Sequence, residues 1–168
     1  MKHFPVFAMA ALLTLGVGPS LAQQFSAGDI VVEKPWARAT PKGASVGAGY
    51  LTIRNKSAVA DRLTGGTADF AGAVEPHQMS TKDGVMTMRL LSDGIEIPPN
   101  GVVTLTPGGY HLMFQGLKQP LAKGEKVKAT LTFEHAGSVP VEFSVGAIGA
   151  MSPAGAKPAA DSMKGMKM

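Results

Sequence analysis

Apolar and polar residues alternate with a period of two in most of the runs between Ile30 and Val145, the spacing of half-buried strands. Ile30-Val31-Val32 predicts a short first strand, and the prolines at 35 and 41 mark an edge or corner after it. Gly49-Tyr50-Leu51-Thr52-Ile53-Arg54-Asn55 is a half-buried strand. Asp61-Arg62-Leu63-Thr64-Gly65-Gly66 begins another, with a bulge expected at the glycines. Val74 to Ser80 and Val85 to Leu91 flank Thr81-Lys82-Asp83-Gly84, and Asp-Gly in that position predicts a hairpin with a type I′ turn. Ile95-Glu96-Ile97 leads to a turn at Pro98-Pro99-Asn100-Gly101, then a strand from Val102 to Thr106 closed by Pro107-Gly108-Gly109. After it, Tyr110, Leu112 and Phe114 form a core face, and His111 and Met113 point together from the other. Leu117 to Lys126 is a loop, and Val127–Phe133 and Val139–Val145 make a last strand pair around Ala136-Gly137-Ser138. No segment with helical period follows residue 22, and no internal repeat is visible. The pattern predicts an all-β protein, an antiparallel β-sandwich or barrel.

The predicted hairpin fixes a register. With Asp83 and Gly84 as the two loop residues, Lys82 faces Val85, Thr81 faces Met86, Ser80 faces Thr87 and Met79 faces Met88. His77 then lies diagonal to Met88, about 7–8 Å away at Cα and on the face of Met79. Met86 is expected on the other face as apolar filler, and Met79 is expected outside the direct ligand set although it shares the face.

The ends of the chain differ from this middle. Residues 1–22 have a charged start at Lys2, an apolar stretch from about Phe7 to Val17, and Ser20-Leu21-Ala22 before the expected cut, the plan of a secretory signal peptide. Gly16, Gly18 and Pro19 interrupt a stretch already short for a membrane span. The mature chain is expected to start near Gln23, with a domain over 23–147, no transmembrane segment, and a flexible tail over 148–168 rich in Pro, Ala, Gly and Lys.

Composition narrows the chemistry. The 168 residues, 45% of them hydrophobic, suffice for one domain with its own core. The net charge of +4 is scattered, with no basic run interleaved with aromatics, which argues against a nucleic-acid partner. Cys 0 in an exported chain removes both a disulfide framework and any thiolate site. A metal would have to be held by His, Met, Asp or Glu, and a thioether is not lost to disulfide formation in an oxidising compartment. The stretch from His77 to Met113 contains two of the 4 histidines and four of the 10 methionines: Met79, Met86, Met88 and Met113, with His77 and His111. Imidazole and thioether donors without clustered carboxylates suit a soft ion, Cu(I) first and Cu(II) more weakly. His135 has no methionine near it and reads as structural or exposed, Trp36 as a core or rim anchor, and Asp29, Asp61 and Asp69 as solvated surface.

From about Val32 to Val145 the sequence resembles the PCu(A)C-type periplasmic copper chaperones. The landmarks are Pro35-Trp36-Ala37-Arg38-Ala39-Thr40-Pro41, Gly49-Tyr50-Leu51-Thr52-Ile53-Arg54-Asn55 and Gly108-Gly109-Tyr110-His111-Leu112-Met113. The family's metal motif is a His, a Met after ten intervening residues, and a later His-x-Met, matched here by His77, Met88, His111 and Met113. The resemblance implies a cupredoxin-like β-fold and Cu(I) bound near the surface by those four residues. It also implies delivery of copper to cytochrome oxidase assembly, with an oxidase subunit or a thiol-bearing copper chaperone as partner. Some relatives carry a tail rich in His and Met. This one has Met163, Met166 and Met168 but no His, which leaves loose Cu(I) capture as its expected chemistry.

The reading is a monomeric, non-enzymatic periplasmic carrier, with copper storage or tolerance as the alternative. A blue-copper electron carrier is excluded by the missing cysteine, and an oxidising enzyme with an N-terminal His ligand by the expected start at Gln23. A scaffold module without metal is the remaining class, tested by metal analysis after copper loading.

Overall fold

The computed structural model describes residues 23–153, so the expected signal peptide and the tail methionines lie outside the described residues. The described residues hold eleven strands and no helix, and hence no helix long and apolar enough to cross a membrane. In chain order they are β1 (Gln24–Ala27), β2 (Ile30–Arg38), β3 (Val46–Asn55), β4 (Asp61–Ala68), β5 (Ala73–Lys82), β6 (Val85–Leu90), β7 (Ile95–Ile97), β8 (Val102–Thr104), β9 (Tyr110–Gln115), β10 (Lys126–Phe133) and β11 (Gly137–Gly146).

Seven strands, β2-β11-β10-β4-β5-β9-β3, form a ring that the β2–β3 ladder closes. Closure leaves the ring itself without free edges. β1, β6, β7 and β8 attach to it as short flanking strands on β2, β5, β4 and β3. All ladders are antiparallel except β11–β2, where Ser144, Val145 and Gly146 run parallel to Trp36, Ala37 and Arg38. This is the all-β architecture that the alternation predicted, with the cupredoxin-like fold that the resemblance implied. The strand and the corner expected around Pro35 are one strand of nine residues with a bulge in it. Lys34 takes φ 51 and the ladder to β3 shifts between Glu33 and Trp36, which lets Pro35 sit where no N–H is required.

Alternation fills the interior. Val127, Ala129, Leu131 and Phe133 of β10 meet Val139, Val141, Phe143 and Val145 of β11, all buried. Phe114 is fully buried and lies edge-on to both Phe70 (5.0 Å between centroids) and Phe143 (5.4 Å). Space for its ring comes from Gly49, where an added Cβ would stand 2.6 Å from the Phe114 ring. The packing bears on the site, because Phe114 anchors the inner face of β9, the strand whose outer face carries His111 and Met113.

Candidate metal centre

β5 is the axis of the site. It pairs with β6 on one side and β9 on the other, so one side chain of β5 has a neighbour on each. His77 lies opposite Leu90 of β6 and opposite His111 of β9. Met79 lies opposite Met88, and Glu75 opposite Met113. Cross-strand partners share a face, and so do residues two apart on one strand. His77, Met88, His111 and Met113 therefore stand on one face of three adjacent strands, the face away from Pro76, Leu112 and Phe114. The imidazoles are 5.9 Å apart at their centroids and tilted by 36°.

Their surroundings differ from rim to floor. His77 and His111 are buried, Met113 and Met79 are half-buried, and Met88 is 50% exposed. The imidazoles form a sheltered floor with thioethers at its open side. The Nε2 atom of His77 is 3.2 Å from a carboxylate oxygen of Glu75, while its Nδ1 is buried without a hydrogen-bond partner. The Nδ1 atom of His111 lies 3.1 Å from the Gly109 carbonyl, which also accepts the Met79 N–H at 3.0 Å. A carbonyl only accepts, so Nδ1 of His111 carries the proton and its Nε2 keeps a lone pair. Burial pushes the His111 pKa down, the bond to Gly109 pushes it back up, and nearby His77 lowers it further, with a net fall below the ordinary imidazole value. A buried imidazole held neutral is ready to donate to a metal. Among the described residues no three His, Cys, Asp or Glu side chains group to hold an ion, and the other donors on the face of the two imidazoles are thioethers.

The family landmarks have a structural reason beside this site. Trp36 pairs with Tyr50 and the rings lie 4.5 Å apart, with the Arg38 guanidinium 5.7 Å from the Tyr50 ring centroid. Since Ala48 lies opposite Met113, Tyr50 is on the face of His111. The aromatic pair thus continues the floor of the site, buried as expected for Trp36. Arg38 also donates to the Ala150 carbonyl at 2.8 Å and to the Met151 sulfur at 3.1 Å.

Two expectations are corrected. Met86 is not core filler on the other face: it lies opposite Thr81, two residues from Met88, so it shares that residue's face and is 64% exposed. Asp61 is not solvated surface: it is buried and accepts the backbone N–H groups of Arg62, His135 and Ala136. The His135 ring itself is exposed, as expected. The orienting groups Glu75 and Gly109 escaped the sequence reading. Each precedes its histidine by two residues, the spacing that puts neighbours on one face of a strand, and that spacing was the available signal.

An all-β domain of cupredoxin-like fold with two buried imidazoles and a rim of thioethers on one face presents the donor set a soft metal would need. The sequence profile of the family described as "Putative lipoprotein LpqE-like" matches residues 30–145, and the chain belongs to that family, the family of PCuAC domains. A curated relative, "Putative lipoprotein Lxx21020" of Leifsonia xyli subsp. xyli, is 33% identical over 116 residues, covering 69% of each chain. Among solved structures, the copper-bound PCuAC domain from PmoF2 superposes with a TM-score of 0.64 at 29% identity, covering 74% of this chain and 97% of that domain. The CuI form of DR1885 from Deinococcus radiodurans gives a TM-score of 0.54 at 29% identity, covering 76% and 83%.

Proposed function

We propose that this chain is an exported copper carrier that binds Cu(I) through His77, Met88, His111 and Met113 and passes it to respiratory cytochrome oxidase assembly in the periplasm. The observation that carries the reading is the direct apposition of His77 and His111 on neighbouring strands, with Nδ1 of His77 left without a hydrogen-bond partner, beside the exposed thioether of Met88. The donors are soft or borderline, which favours Cu(I) over Zn(II) or a hard cation. Copper-bound and CuI-bound PCuAC structures among the neighbours support the same cargo. A rim of exposed methionine lets a partner exchange donors with the ion one at a time, which fits a carrier and not an enzyme. An oxidase subunit or a thiol-bearing chaperone is the recipient this chemistry suits. The signal-like start at 1–22 supports export to the periplasm.

Replacing His111 or Met113 by Ala is expected to lower Cu(I) affinity in a competition titration against a Cu(I) chelator while the amide spectrum stays that of the folded domain. Unchanged affinity in both variants overturns the site. Delivery is separated from storage by a deletion strain: oxidase activity lost only at low copper supports delivery, and sensitivity only at high copper supports storage.

A further inference from the structure

The two imidazoles are met by different groups on opposite ring nitrogens, Glu75 on Nε2 of His77 and the Gly109 carbonyl on Nδ1 of His111. We infer that Glu75 is a positioning residue that fixes the proton of His77 on Nε2, so that His77 binds copper through Nδ1 while His111 binds through Nε2. The inference rests on the copper-carrier reading and deepens it.

The argument starts from the valence of imidazole. A neutral ring has one N–H and one lone pair, and whatever meets one nitrogen decides what the other can do. The group meeting Nε2 of His77 is the Glu75 carboxylate at 3.2 Å. A carboxylate only accepts, so Nε2 carries the proton and Nδ1 the lone pair. That Nδ1 is the one buried side-chain nitrogen or oxygen among the described residues left without a hydrogen-bond partner. Buried polar atoms in folded proteins are nearly always satisfied, and an orphan at the floor of a donor cluster calls for a ligand. For His111 the orienting group is the Gly109 carbonyl on Nδ1, which leaves Nε2 as donor.

The orienting groups also differ in kind. The Gly109 carbonyl is part of the backbone and is held by the Met79 N–H, so it cannot be removed by substitution. Glu75 is a side chain, 36% exposed, opposite Met113 at the rim. A hydrogen-bonded carboxylate makes imidazole a better donor, and losing such a partner costs about 10–100-fold in metal affinity.

The test is long-range 1H–15N correlation of the histidine rings in the wild-type domain, before and after loading with Cu(I), together with Cu(I) competition titrations of Glu75→Ala and Glu75→Gln. The expected result is an Nε2-protonated His77 in the free protein, with loading moving its Nδ1 resonance and the Nε2 resonance of His111. Glu75→Ala is expected to lose about 10–100-fold in affinity. Glu75→Gln, whose amide oxygen still accepts, is expected to stay near wild type. A proton on Nδ1 of His77, or loading that shifts its Nε2, overturns the role of Glu75 and leaves the copper site standing. So does a folded Glu75→Ala variant of wild-type affinity. If neither ring responds to Cu(I), the copper site itself falls. Should Glu75→Ala fail to fold, the wild-type ring spectra decide alone.

Discussion

Asp61 shows what a single buried carboxylate does here. One of its oxygens accepts the N–H groups of Arg62 at 2.7 Å and His135 at 2.9 Å, and the other accepts that of Ala136 at 2.9 Å. It thereby ties the start of β4 to the turn between β10 and β11. Burial alone raises its pKa, but the three amide bonds outweigh burial and, with a smaller contribution from the nearby His135, hold it below the usual carboxylate value. The unfolded chain then takes up this proton at higher pH than the folded one. The contribution of Asp61 is whole above the ordinary carboxylate pKa and drains as pH falls through the depressed folded value. Asp61→Asn replaces one accepting oxygen by an NH2 group and leaves a turn N–H unmet. Urea melts at neutral pH should show a loss of about 1–3 kcal/mol, a gap that narrows as both proteins are taken into acid. Residue types alone hid this role, because two of the three partners are main-chain amides 74 and 75 residues away that have no signature in the sequence. Gly109 also works through its main chain, and only its place two residues before His111 could have pointed to it.

The β5–β6 hairpin is the element whose form the sequence showed most fully. Asp83 and Gly84 both take positive φ, 53° and 77°, as a type I′ turn requires, and the pairs from Lys82–Val85 to Met79–Met88 fall in the expected register. The same counting places Met86 beside Met88, since positions two apart on a strand share a face; its expected place on the other face was a misreading of that parity. The β5–β9 ladder was not legible locally. It joins segments separated by three intervening strands, so the apposition of His77 and His111 depended on the family resemblance. Every residue of β6 is exposed, and β6 lies outside the closed ring. Gly84→Val forces a β-branched residue to φ 77°, a strain of about 1–2 kcal/mol. That strain is relieved most easily by fraying β6. Hydrogen exchange of the β6 amides should quicken and Cu(I) affinity should fall with the loss of Met88, while the thermal midpoint barely moves. A large drop in the midpoint, with β6 exchange unchanged, would place β6 inside the cooperative fold.

At the scale of the whole molecule, period-two alternation announced a β-sandwich or barrel but not which strands close it. The parallel β11–β2 ladder and the β2–β3 ladder that completes the ring join distant segments, and β1 is only four residues long, too short to show a period. The seam of the ring is β4–β5, where the ladder is the single pair Gly66–Val74. Gly66 also lies opposite Leu131 of β10, and a Cβ on it would stand 2.4 Å from the Thr130 carbonyl oxygen and 3.2 Å from the Leu131 Cα. Both are backbone atoms, so no side-chain rotation makes room. Gly66→Ala must push β10 away, at about the 1–3 kcal/mol typical of overpacking. His77, Met88, His111 and Met113 all sit on β5, β6 and β9, past the seam, and keep their register through the β5–β6 and β5–β9 ladders. The expected outcome is a lower urea midpoint with Cu(I) affinity close to wild type under native conditions, the reverse of what Gly84→Val should give. Measuring both quantities on one preparation of each variant checks the pair. If affinity fell in step with stability in Gly66→Ala, the seam would be transmitting strain into the copper face, and ring and site would have to be treated as one mechanical unit.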